Sequence, residues 1–235
     1  MKPLCKSRLS LADKYGAKMA PSFEQLLAAS ASAHGHLCPG QVLGVRMSML
    51  GLALLGYEAP LDESNIKKVV VVVEIDRCAT DAVSVTTGVK LGRRSLQFRD
   101  YGLMAATFVN LPDGRAFRVA AREDCRDKAA DILPQISDRH QREIQAYQLM
   151  PASDLFIVEA VTVDLKPEDL PGYHAGKVVC EKCGTMIRHR REVKKNGQVL
   201  CRVCAGGAYF KHIKPVVGID ALNPVESPDS KPPEG

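Results

Sequence analysis

Four cysteines fall in two pairs, Cys180-x-x-Cys183 and Cys201-x-x-Cys204, with seventeen residues between the pairs. Two residues between cysteines let a tight turn aim both sulfurs at one point, and Gly184 after the first pair suits such a knuckle. Four thiolates at about 2.3 Å close a tetrahedral shell around zinc and leave no position for chemistry. The stretch around these cysteines is therefore expected to fold on a structural zinc, with the metal supplying much of its folding free energy. The intervening MIRHRREVKKNGQVL reads as a hairpin turned at Asn196-Gly197. The helix after the second pair is short and glycine-interrupted, at CAGGAYF. A redox dithiol, or iron in a rubredoxin-like site, is the less favoured reading of the same spacing.

The chain's basic character belongs to this module. Between Cys180 and Cys204 stand seven basic residues and two acidic ones, a net +5 that equals the charge of all 235 residues. Nucleic acid is one partner class that such a surface fits, although no aromatic interleaving on the hairpin supports base stacking, and the reading is not favoured. No apolar leader is visible in MKPLCKSRLSLADKYG, and VLGVRMSMLGLALLG contains Arg46 and is too short to span a bilayer. A cytoplasmic location, with no membrane, is the expectation. Thiols stay reduced there, so the eight cysteines are read as ligands or reactive groups before disulfides.

Upstream, residues 22–33 read as a helix capped by Ser22. Gln41 to Gly56 reads as a long buried helix, with Pro39 in its first turn and Gly56 as its stop. Gly44 and Gly51 are seven apart and so allow close approach on one face. KKVVVVVEI, residues 67–75, reads as a central strand covered on both faces. A helix follows from Cys78 to Thr87, then strands near 94–99, 103–109 and 116–120, with Pro112-Asp113-Gly114 as a hairpin turn. Helices near 122–133 and 138–149 and a strand over 154–163 complete the body. The order is mixed rather than strictly alternating. It predicts an α+β fold with a largely antiparallel sheet and packed helices. The expected organisation is an N-terminal segment 1–21, a core domain 22–166, a linker 167–176, a four-Cys zinc finger 177–213 and a Pro-rich tail 214–235.

A second cluster precedes the long helix, in His34-Gly35-His36-Leu37-Cys38-Pro39-Gly40. Cys38 stands at a helix start, where free backbone N–H groups and the helix dipole favour a thiolate. Cys78 stands at an equivalent place after the valine strand. Glu74, Asp76 and Cys78 alternate and share a face for as long as the strand stays extended, and Asp81 falls one turn on. His36, Cys38 and Cys78, with His34 beside them, form a candidate core site. It is suited to a second metal ion with an open position, a small ligand, or a reactive thiol. Cys5 and Cys125 lack this context and are read as non-functional. His140, His174, His189 and His212 carry no assignment.

HGHLCPGQVLGVRMSMLGL and VEIDRCATDAVSVTTGVKLGRRSLQFRDYGLMAATF together resemble the FmdE family, proteins similar to the FmdE component of formylmethanofuran dehydrogenase. The resemblance spans about residues 22–165 plus the appended four-Cys module. One departure is visible: Arg94 and Ser95 stand where the family pattern has Gly and Asn. The resemblance implies an α+β core, a treble-clef-like finger, a tendency to dimerise, and association with molybdenum or tungsten formylmethanofuran dehydrogenase systems. FmdE is not the pterin-bearing catalytic component, so the resemblance hands over no reaction. It carries over His34, His36, Cys38 and Cys78. The leading expectation is a metal-binding accessory protein. The alternatives are a zinc-finger regulator that contacts nucleic acid through Arg188, Arg190, Arg191, Lys194 and Lys195, and a thiol- or metal-dependent enzyme built on Cys38 or Cys78.

Overall fold

Five consecutive valines have only one way to be buried together: a strand covered on both faces. In the computed structural model, which describes residues 20–211 and Ile213, they form β1 (Val69–Val73), every residue buried. Cys5, His212 and the 214–235 tail lie outside the described residues. The chain divides into two units between His174 and Ala175.

The first unit is built on a five-stranded sheet of order β2-β1-β3-β4-β5, comprising also β2 (Leu96–Phe98), β3 (Ala105–Asn110), β4 (Ala116–Ala121) and β5 (Phe156–Val161). Only β1 and β2 run parallel; the other three pairings are antiparallel. Val69, Val71 and Val73 face a core shared with the helices, while Val70 and Val72 pack with Val109 and Ala116 under Val161, Val163 and Leu165. The segment that follows β5 thus covers the second face.

The helices are α1 (Phe23–His34), α2 (Pro39–Leu55), α3 (Cys78–Thr87), α4 (Cys125–Ile132), α5 (Arg139–Leu149) and a single turn α6 (Ala152–Leu155). Ser22 and Gln25 form a capping box at the start of α1, and Gly35 ends it in the left-handed conformation at φ 97°. Arg46, the one charge in the apolar run of α2, donates to the carbonyls of Tyr147 and Met150 and so satisfies the end of α5.

Gly44 and Gly51 serve two different neighbours. A Cβ on Gly44 would lie 2.6 Å from Ala82 Cβ and 2.7 Å from the Ala79 carbonyl of α3, and one on Gly51 would lie 2.3 Å from the Phe108 ring of β3. Residues 154 and 155, expected in the last strand, close α6 instead, because Pro151 caps a helical turn there. Arg94 takes the left-handed conformation, φ 58°, where the family pattern has glycine. Its guanidinium donates to the carbonyls of Glu168 and Tyr173, and Gln97 donates to that of Asp169, so the 167–173 stretch is tied to the first unit.

In the second unit, β6 (Lys177–Val179) pairs with β7 (Met186–Arg188), and β8 (Val193–Lys195) with β9 (Gln198–Leu200). The expected single hairpin is therefore two. MIR turns back on the segment before Cys180, and only 193–200 folds about Asn196-Gly197. Among the described residues no helix is long and apolar enough to cross a membrane.

Candidate metal centres

Three elements deliver the core cluster. His34 is the last residue of α1, Cys38 caps α2, and Cys78 opens α3. One ligand atom from each lies within 4.8 Å of the others. His36 is not in that set; its ring lies against that of His34, centroids 4.8 Å apart. Of the histidines expected here, it is His34 that joins the two cysteines.

The convergence has local causes. Pro39 starts α2 without needing an N–H partner, and Gly40 lets α3 come close: a Cβ there would lie 3.0 Å from Cys78 Cβ and 3.8 Å from Cys38 Sγ. Gln41, fully buried, donates from Nε2 to the Cys78 carbonyl at 2.6 Å and accepts the Ser30 hydroxyl. One amide thus links α1, α2 and α3. Sequence reasoning missed Gln41 and Ser30; the available signal was a polar residue within an otherwise apolar helix.

His34 Nδ1 stands 2.8 Å from Asp81 Oδ2. An ionised carboxylate only accepts, so Nδ1 carries the proton and Nε2 keeps the free lone pair. That is the orientation a metal-binding histidine needs, with a carboxylate behind it. Beside the cluster lies a hollow of about 400 Å³ lined by His34, Asp76, Arg77, Cys78, Thr80 and Asp81.

Burial pushes the Cys38 thiol up, more than the Gln41 backbone N–H draws it down. Desolvation thus outweighs the helix start, and the expectation of a ready thiolate does not hold for the metal-free group. Glu74 is also placed elsewhere. The strand ends at Val73 and bends before Cys78, so the alternation breaks. Glu74 is buried in an ion pair with Arg118, at 2.7 and 2.8 Å.

In the second unit Cys180, Cys183, Cys201 and Cys204 bring their sulfurs within 4.8 Å of one another, with Cys183 and Cys201 3.9 Å apart. A tetrahedral ion with 2.3 Å bonds needs sulfurs about 3.8 Å apart, so the set fits one metal ion. Backbone N–H groups, that of Cys201 first, draw Cys180 down to about 6. Thr185 draws Cys183 down through its side chain and N–H. Cys204 is pushed up to about 12 by hydrogen bonding with Cys183 and Cys201. The first pair sheds its protons readily, and Cys204 calls for a cation to balance its neighbours. Cys125, by contrast, is buried against the Tyr147 hydroxyl at 3.5 Å.

Residues 33–157 match the family model described as FmdE, molybdenum formylmethanofuran dehydrogenase operon. A curated relative, a probable S-adenosyl-L-methionine-binding protein of Archaeoglobus fulgidus, is 31% identical over 203 residues, 79% of this chain and 54% of the relative. The chain thus spans about half the length of that relative. The crystal structure of an FmdE-like protein of tungsten formylmethanofuran dehydrogenase from Syntrophus aciditrophicus covers 83% of this chain and all of its own, with a TM-score of 0.56 at 22% identity. That likeness shows the fold.

Proposed function

The chain belongs to the FmdE family, and we propose that it is a metal-binding, FmdE-like accessory protein with two metal centres. The first centre is a divalent transition-metal ion held by His34, Cys38 and Cys78. The second is a structural zinc held by Cys180, Cys183, Cys201 and Cys204. One observation carries the first centre: three soft ligands from three elements converge within 4.8 Å, and the histidine among them is oriented by Asp81. Two thiolates and an imidazole are a ligand set that zinc uses where a fourth position stays open. An ion there would supply a Lewis acid facing the hollow; the protein's own part is to orient His34 through Asp81 and to fix Cys78 through Gln41. We place this centre in the service of a formylmethanofuran dehydrogenase-like system, without the pterin chemistry.

A second reading concerns the ligand. The name of the Archaeoglobus relative suggests S-adenosyl-L-methionine, whose amino and carboxylate groups can chelate an open metal position. The hollow beside Cys78 supports this reading, because Arg77 and Asp76 line it and offer one charge of each sign.

Elemental analysis of the purified chain tests the proposal, with two metal ions per chain expected. Cys38→Ala/Cys78→Ala should retain one and Cys180→Ala/Cys183→Ala should lose the other. Asp81→Asn should weaken the core metal about 10- to 100-fold. Two ions retained in the core double variant would make that cluster structural only. Calorimetric titration with S-adenosyl-L-methionine separates the readings: binding lost in the core variant supports the ligand, and no heat with the wild type removes it.

A further inference from the structure

We propose that the second unit binds single-stranded nucleic acid, with the β7–β8 turn and the β8–β9 hairpin on the phosphates and Tyr209 stacking on a base. This interaction is separate from the core centre and does not depend on it.

Nine basic residues and two acidic ones stand between Ala175 and Lys211, and all nine basic residues are exposed. The first unit is different. There Arg115, Arg118, Arg122, Arg126, Lys128 and Arg139 are each ion-paired to a carboxylate. Among the described residues, no such pair engages Lys177, Arg188, Arg190, Lys194 or Lys195. One of the two acids is committed to the backbone: Glu181 Oε1 accepts the Val199 N–H at 3.1 Å. A solvated basic face would ordinarily interleave both signs, and this one does not.

The strand register concentrates the charge further. Lys177 lies directly opposite Arg188 in the β6–β7 ladder. Like charges facing each other across an antiparallel pair disfavour the pairing, and an anion laid over both removes that penalty. The next two residues, His189 and Arg190, have φ of 60° and 55°, the left-handed region that non-glycine residues rarely occupy. The turn holds backbone strain while displaying its basic side chains.

Exposed charge alone would suit an acidic protein equally well, and the aromatics decide between the two. Tyr209 is 97% exposed and meets Phe210 edge-on, ring centroids 5.2 Å apart. Lys195 Nζ donates to the Ala205 carbonyl at 3.3 Å, which holds the basic hairpin to the turn leading into Tyr209. A fully presented aromatic beside a phosphate-neutralising surface is the arrangement by which proteins hold unpaired bases without reading sequence. The hairpin itself carries no aromatic; the stacking group comes from the segment after Cys204.

The test is fluorescence anisotropy of the full metal-loaded chain with labelled oligouridylate and oligothymidylate of about 12 nucleotides, titrated between about 50 and 200 mM salt. Four phosphate contacts on a single strand predict a log–log salt slope of about −3, and Arg190→Gln/Lys194→Gln should reduce its magnitude by about 1.4. Tyr209→Ala should weaken binding about 5- to 150-fold while leaving the slope in place. Lys67→Gln/Lys90→Gln, the same change of net charge on the first unit, should alter neither. Metal content of each variant verifies that the finger is intact. Absence of binding at the lowest salt, a slope unmoved by Arg190→Gln/Lys194→Gln, or an affinity unmoved by Tyr209→Ala overturns the proposal. So does equal affinity for a polyglutamate peptide, which would assign the surface to an acidic protein.

Discussion

Arg118 bonds two carboxylates at once: Glu74 through both oxygens, and Glu159 at 3.0 Å. Glu74 has only 6% of its side chain exposed, so it is the partner that depends on the pair. A carboxylate that deep keeps its charge only while a cation meets it. Hydrogen bonding to Glu74 accordingly holds the Arg118 guanidinium well above the usual arginine range. Arg118→Met should therefore cost about 3 kcal/mol, and Glu74→Met/Arg118→Met should recover most of it. Urea unfolding of the two variants measures this. Equal losses in both would mean that packing, not the stranded charge, sets the cost. Nothing in the sequence paired these residues: 44 positions separate them, and the alternation of Glu74, Asp76 and Cys78 pointed to one shared face.

The long helix α2 works as a spacer whose width is set by its glycines. Gly51 meets Phe108, which is fully buried and cannot swing aside. Gly51→Ala should therefore cost about 2 kcal/mol or more by overpacking. That lowers Tm by about 4–8 °C in a domain of this size. Gly44→Ala meets α3 backbone and should also displace Cys78, so its loss of stability comes with a loss of core metal. Gly92→Ala, with nothing within 4 Å of the added carbon, should change Tm little. Differential scanning calorimetry with metal analysis compares the three, and a Gly51→Ala protein as stable as Gly92→Ala would refute the spacer role. The element boundaries near these glycines were legible, because Pro39, Gly56 and Gly88 punctuate α2 and α3 chemically. Which neighbour each glycine admits was not, because the seven-residue spacing names a face and no partner.

Across the molecule as a whole, the two units have unlike sources of stability. The first has an apolar core running through both faces of its sheet. The second buries only Cys180, Ile187 and Leu200 together, far too little apolar surface to offset the ordering of its chain. Its stability has to come from the metal. Chelation should therefore abolish amide protection over 177–200 and leave that of Val69–Val73 near its starting value. Hydrogen exchange read by mass spectrometry distinguishes the segments. Protection surviving in 177–200 after verified metal removal would show that this unit folds without its ion.

The elements, the α+β class and both groups of metal-ligand residue types were legible along the chain. They depend on local chemistry: a valine run, a proline before a helix, a glycine after one, and cysteines spaced for a knuckle. Which side chains meet was settled by tertiary packing alone. Packing set His34 rather than His36 beside Cys38 and Cys78, put Asp81 behind that histidine, and hung Cys78 from Gln41. It also folded MIR back onto the strand before Cys180. Each of these outcomes rests on contacts between separate segments, whose register is fixed by packing and close approach rather than by any local preference.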